Sequence, residues 1–162
     1  MGTARPLRMK AAGAGYERKA AENELTYEEI SIGDRGVLKK TVTEEMVREF
    51  AEFSGDFNPV HMEEDFCRSH GLGSRVAHGM LVLSFLSALI GMQLPGEGAL
   101  WLSQNIEFLT PVKIGDTVEI TGEVTGKSDA GALGLKILAL KVRIKNQLGR
   151  FVAKGFVKVA MK

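Results

Sequence analysis

The sequence predicts an α+β fold, an antiparallel sheet packed against one buried helix, and three observations predict it. Residues 79–94 are apolar on nearly every face and carry no charge, as a helix enclosed by the rest of the fold would be. Four strand-like segments follow in series with short turns between them, which is how an antiparallel sheet is written. The chain has 162 residues, 44% hydrophobic and 25% charged, the proportions of one globular domain with one core.

Taken in order, residues 1–24 read as a flexible leader and residues 25–162 as the domain. The first fifteen residues carry Arg5, Arg8 and Lys10 and no acid. That is faintly like an organellar transit peptide, but the stretch lacks Ser and is rich in Gly and Ala, which favours plain disorder. Gly36–Val42 reads as a short strand. Thr43 offers an N-cap oxygen, Glu44 and Glu45 put negative charge in the first helical turn, and Met46, Val47, Phe50, Ala51 and Phe53 recur at helical spacing as far as Gly55. Asp56-Phe57-Asn58-Pro59 is turn chemistry. Glu63–Ser69 reads as a short helix stopped by Gly71 and Gly73. After the apolar helix and Pro95-Gly96 come strands over Leu100–Leu109, Thr117–Thr125, Leu133–Lys145 and Phe151–Val159. In the third of these, Leu133, Leu135 and Ile137 have the opposite parity to Leu138, Leu140, Val142 and Ile144, which predicts a bulge or burial on both faces. In the fourth, Phe151, Ala153, Val157 and Val159 are expected on one face. The sheet should curl around the apolar helix.

Twenty-one basic against twenty acidic residues leave a net charge of +1, so overall charge gives no support to a nucleic-acid partner. The single cysteine, Cys67, excludes an internal disulfide and a cysteine-based zinc site. It fits a reducing compartment, read as the cytoplasm, with the mitochondrial matrix as the alternative. Met80–Leu94 is interrupted by Ser84, Ser87, Gly91 and Gln93 and falls short of the ~20 residues a bilayer needs, so no membrane partner is expected.

Three histidines are the first candidates for chemistry. His61 follows Asp56 by five residues, and a turn between them brings a carboxylate and an imidazole together for general acid–base work. Turn preference alone also accounts for Asp-Asn-Pro, so both readings stand on local grounds. His78 precedes the apolar helix and reads as structural, and His70, in a charged loop, as solvated. Gly79 opens the helix, where its N–H is an unpaired donor that a ligand carbonyl could approach closely; a tightly packed helix start explains it equally well. Ser84 and Ser87 either bond back to the helix or reach across the core. The histidines are not at paired ligand spacing and no phosphate-binding loop is present, so neither metal nor cofactor is expected.

Ser54-Gly55-Asp56-Phe57-Asn58-Pro59-Val60-His61 followed by Val76-Ala77-His78-Gly79-Met80-Leu81 resembles the signature of the (R)-specific enoyl-CoA hydratases, the MaoC-like hydratase family. Phe108-Leu109-Thr110-Pro111-Val112 with Gly115-Asp116-Thr117 is similar to the family's strand and turn after the central helix. The resemblance runs from about Leu25 onward. It implies a hot-dog fold, a homodimer with sites near the subunit interface, and hydration of a trans-2-enoyl-CoA to the (R)-3-hydroxyacyl-CoA without a cofactor. It implies that Asp56 and His61 handle water and proton, that Asn58 shapes the loop, that the Gly79 N–H holds the thioester oxygen, and that Ser87 supports the pair from the helix. A hot-dog acyl-CoA thioesterase and a non-catalytic acyl-CoA-binding module are the competing readings, since fold alone does not decide among them.

Overall fold

The computed structural model describes residues 25–130 and 134–161; the leader reading of residues 1–24 and the placement of Leu133 lie outside them. Strand β1 (Arg35–Thr41) is followed by helix α1 (Glu44–Ser54). The Thr43 side chain accepts the Met46 N–H at 3.2 Å, and Gly55, at φ 78°, closes the helix by donating its N–H to Ala51 O at 2.8 Å. Start and stop are thus the expected ones. Val47 and Ala51 are buried, but Phe53 is 90% exposed and does not belong to the packed face.

The Asn-Pro turn is shaped differently from expectation. Asn58 caps a one-turn helix, α2 (Pro59–Met62), with its side-chain oxygen on the Val60 N–H at 3.2 Å, and Pro59 occupies the first helical position, where a missing N–H costs nothing. Helix α3 (Glu64–Ser69) follows.

The apolar segment forms helix α4 (Gly79–Met92). Leu81, Val82, Leu83, Phe85, Leu86, Leu89 and Ile90 are buried, while Met80, Ser84, Ser87 and Met92 form an exposed stripe. The helix is central, though not enclosed on every side.

Strands β2 (Leu100–Phe108), β3 (Thr117–Ala130), β4 (Leu135–Asn146) and β5 (Phe151–Met161) complete one antiparallel sheet in the order β1-β3-β4-β5-β2. β5 is therefore interior, and β1 and β2 are the edges. Val118, Ile120, Val124, Leu138, Leu140, Val142, Ile144, Val157 and Val159 face α4 in a single core. Both neighbours of β4 keep register across Ile137 and Leu138, so of the two expected alternatives there is no bulge at that point, and Leu135 and Ile137 are half-buried on the other face. The extra residues sit on its neighbours, Thr125 in β3 and Val152 in β5, where the registers shift. The shift at Val152 buries both Val152 and Ala153 and leaves Phe151 40% exposed, off the face it was expected to share.

Close approach of helix to sheet is made by glycine. Gly36 and Gly122 face each other across β1 and β3, and Leu89 lies over both. A Cβ on Gly36 would come within 3.3 Å of Leu89 Cδ2, and one on Gly122 within 3.1 Å of it. At the other end of the sheet, a Cβ on Gly155 would lie 2.0 Å from the Asn105 carbonyl oxygen of β2. No side chain fits between those two backbones.

Candidate active site

The segment between α1 and α4 is folded back so that three residues distant in sequence meet. Val76 is tied to α2 twice: its N–H donates to Val60 O at 3.1 Å, and its carbonyl accepts from His61 Nδ1 at 2.7 Å. The Cys67 thiol donates to Val60 O at 3.3 Å from beneath, and Ala77 N–H anchors the segment to Val112 O at 2.7 Å. Two residues beyond Val76, the His78 ring lies against that of His61, with centroids 3.8 Å apart and planes at 31°.

Because a carbonyl oxygen only accepts, His61 carries a hydrogen on Nδ1, and in the neutral ring this leaves the lone pair at Nε2. That atom lies 3.9 Å from Asp56 Oδ2. The gap is too long for a direct hydrogen bond, but one water placed to the side of the line is in reach of both atoms. The His61 side chain is 13% exposed and that of Asp56 52%, so the imidazole is sheltered and the carboxylate opens to solvent. Asn58 donates its N–H to Asp56 Oδ1 at 3.3 Å while its side chain caps α2. It thereby ties the Asp56 carboxylate to the start of α2. Asp56 lies in the loop after α1, whereas His61 lies on α2, so the pair is not carried by one loop.

Gly79 begins α4 and lines a hollow of about 280 Å³ with Ala77, Phe108, Thr110, Pro111 and Val152. A Cβ there would come within 3.3 Å of the Phe108 ring, so tight packing on β2 explains the glycine by itself. The N–H remains among the helix-start donors without an intrahelical acceptor. Ser87 is on the exposed stripe. With Ser84, Met80, Phe50, Trp101 and Gln104 it lines a second hollow of about 580 Å³ between α4 and β2. It makes no hydrogen bond with Asp56 or His61 among the described residues, and Ser84 bonds back to Leu81 O at 2.7 Å. His70 is exposed, stacked on Phe66 and bonded to Phe66 O at 2.9 Å, away from the pair.

His78 is the residue the sequence reading placed outside the chemistry. It is 2% exposed, its Nε2 donates to the Asp56 carbonyl at 2.9 Å, and Phe50 of α1 packs on its ring at 4.9 Å. A polar residue inside the apolar run Val76-Ala77-His78-Gly79-Met80-Leu81 was the available signal. The spacing argument against a metal also needs correcting, because the fold brings one ligand atom from each of Asp56, His61 and His78 within 4.8 Å of one another. One nitrogen of each ring is already engaged by a carbonyl, which leaves each imidazole a single nitrogen for any ion.

The chain is similar to known proteins in sequence and in fold. A family model described as "MaoC like domain" matches residues 33–143. The 3-hydroxybutyryl-CoA dehydratase of Methylorubrum extorquens is 42% identical over 100 residues, covering 62% of this chain and 64% of the relative. The (R)-specific enoyl-CoA hydratase of Aeromonas caviae is 34% identical over 131 residues, 81% of this chain and 95% of the relative. A solved structure of the (R)-hydratase from A. caviae superposes with a TM-score of 0.78 at 33% identity, over 83% of this chain and 99% of the other.

Proposed function

The chain belongs to the MaoC-like domain family, and from that premise we propose that it is a hot-dog enoyl-CoA hydratase of fatty-acid metabolism. It would add water reversibly to a trans-2-enoyl-CoA to give the (R)-3-hydroxyacyl-CoA. The observation that carries the reading is the approach of His61 Nε2 to Asp56 Oδ2 at 3.9 Å, close enough for one water beside them to bond both. His61 removes a proton from that water as its oxygen bonds to C3 of the enoyl thioester. The proton is held by the pair and passed to C2, with Asp56 as the final carrier, so both residues end as they began. Charge developing on the thioester oxygen is met by the Gly79 N–H at the head of α4. Ser87 belongs to the wall of the hollow between α4 and β2, where an acyl chain has room. The handedness of the product comes from the A. caviae relative's name.

The working form we propose is a homodimer. β2 is an edge strand with an unpaired backbone row, flanked by the exposed Met80, Ser84, Ser87 and Met92 stripe of α4. A second copy would cover both. Light scattering is expected to give twice the 17.6 kDa chain mass; a monomer at working concentration refutes it. Among the described residues no helix is long and apolar enough to cross a membrane. The free thiol of Cys67 supports a cytoplasmic setting.

The deciding assay follows enoyl absorbance with crotonyl-CoA and longer enoyl-CoAs, with chiral analysis of the product. Asp56→Asn and His61→Ala should each lower kcat by about 100-fold to 10,000-fold, and the double variant should be scarcely slower than the worse single one. Release of free CoA thiol would indicate a thioesterase, and binding without turnover a carrier module.

A further inference from the structure

We propose that His78 is a positioning residue: it fixes the Asp56 backbone through its Nε2–H and holds the His61 ring by stacking. The inference deepens the hydratase reading and rests on it for its kinetic part. His78 stands at the N-cap of α4 but gives that helix no side-chain cap, so supporting the helix start does not explain a polar group there. Its Nε2 instead reaches back twenty-two residues to the Asp56 carbonyl. Its Nδ1 is buried without a partner, a standing cost that a phenylalanine would avoid. What phenylalanine lacks is the one donor that reaches Asp56 O. The ring is held on one side by Phe50 and lies against His61 on another. Its neighbours therefore fix the ring, and the ring in turn fixes both members of the pair.

The consequence is separable by substitution. His78→Phe keeps a ring for stacking and removes the donor; His78→Gln keeps an amide donor at a similar reach and removes the ring. Each should lower kcat by about 10-fold to 100-fold, the cost of small misplacements of reacting groups, with KM within about 3-fold of wild type because neither touches substrate. The second readout does not depend on turnover. In long-range ¹H–¹⁵N spectra, His61 of the wild type should show its hydrogen on Nδ1. The stacking change in His78→Gln should shift those ring signals, and His78→Phe should shift the Asp56 and Phe57 amides. A purely structural role would lower the melting temperature and leave kcat per folded molecule and the His61 ring signals unchanged, which overturns the proposal. If wild type shows no hydration, the activity reading fails alone, and the spectra still decide whether His78 holds the pair. If wild type hydrates, Asp56→Asn is dead and both His78 variants keep full kcat, this inference fails alone.

Discussion

Leu89 and Gly122 should behave as one packing unit, and the sign of a single methyl group tests it. Leu89 is fully buried over the paired glycines of β1 and β3. Glycines have no side chains to slump into a void, so Leu89→Ala should cost ~4 kcal/mol, in the upper part of the range for buried leucine truncation. For a chain of this size that lowers Tm by ~8–16 °C. Gly122→Ala in the wild type would put a Cβ 3.1 Å from Leu89 Cδ2. Overpacking of that kind costs ~1–3 kcal/mol, offset by the ~0.5–1 kcal/mol gained on replacing a strand-interior glycine. The net loss is ~1–2 kcal/mol. Once Leu89 is alanine the crowding is gone and the same methyl fills part of the void, so Gly122→Ala should stabilise that background by ~0.5–1 kcal/mol. Urea unfolding of the four proteins, followed by circular dichroism and by the fluorescence of Trp101, gives the coupling directly. We expect ~2 kcal/mol, well outside the ~0.5 kcal/mol scatter of independent sites. Equal destabilisation by Gly122→Ala in both backgrounds would refute the reasoning.

Two further outcomes follow from local geometry. Gly155→Ala should detach β2, because its Cβ would fall 2.0 Å from Asn105 O; hydrogen exchange at residues 104–107 should lose protection, and retained protection would contradict the close approach. Hydrogen bonds from the Thr26 backbone and then its side chain hold the Glu29 carboxyl below its ordinary value of 4.5. A lowered folded value means the contact is fully present above pH 4.5 and is lost as pH falls through the lower folded value. The Thr26 amide resonance should therefore move only in acid, and movement near neutrality would point to another group.

Legibility in the sequence followed the range of the interactions involved. The Thr43 cap, the Gly55 stop and the alternation of Val118, Ile120 and Val124 are written within a few residues, and the structure keeps them. The partner of each strand is not written locally, so nothing in Leu100–Phe108 tells that it pairs with β5 and not β3. The parity change near Ile137 is visible in β4, but both neighbours keep register across it, and the bulges lie elsewhere, at Thr125 and Val152. Asn58-Pro59 satisfies turn and helix-start preferences alike; the tie of Val60 and His61 to Val76 accompanies the helix. Asp56 and His61 were visible as a pair through their motif. His78 joins them only through a fold-back spanning twenty-two residues, which no spacing rule covers.

The interior position of β5 also bears on how the chain comes to be folded as it is made. β2 leaves the ribosome some fifty residues before β5, the strand it pairs with among the described residues, whereas β4 waits only briefly for its second neighbour, since it ends at Asn146 and β5 begins at Phe151. Until residues 151–161 emerge, the nascent sheet is cut between β4 and β2, and part of the apolar surface of α4 has no cover. Closure is therefore held to the last strand, and the loop it must close, from β2 to β5, is a long one. During synthesis that open edge is where a trigger-type chaperone or a stray strand would find purchase.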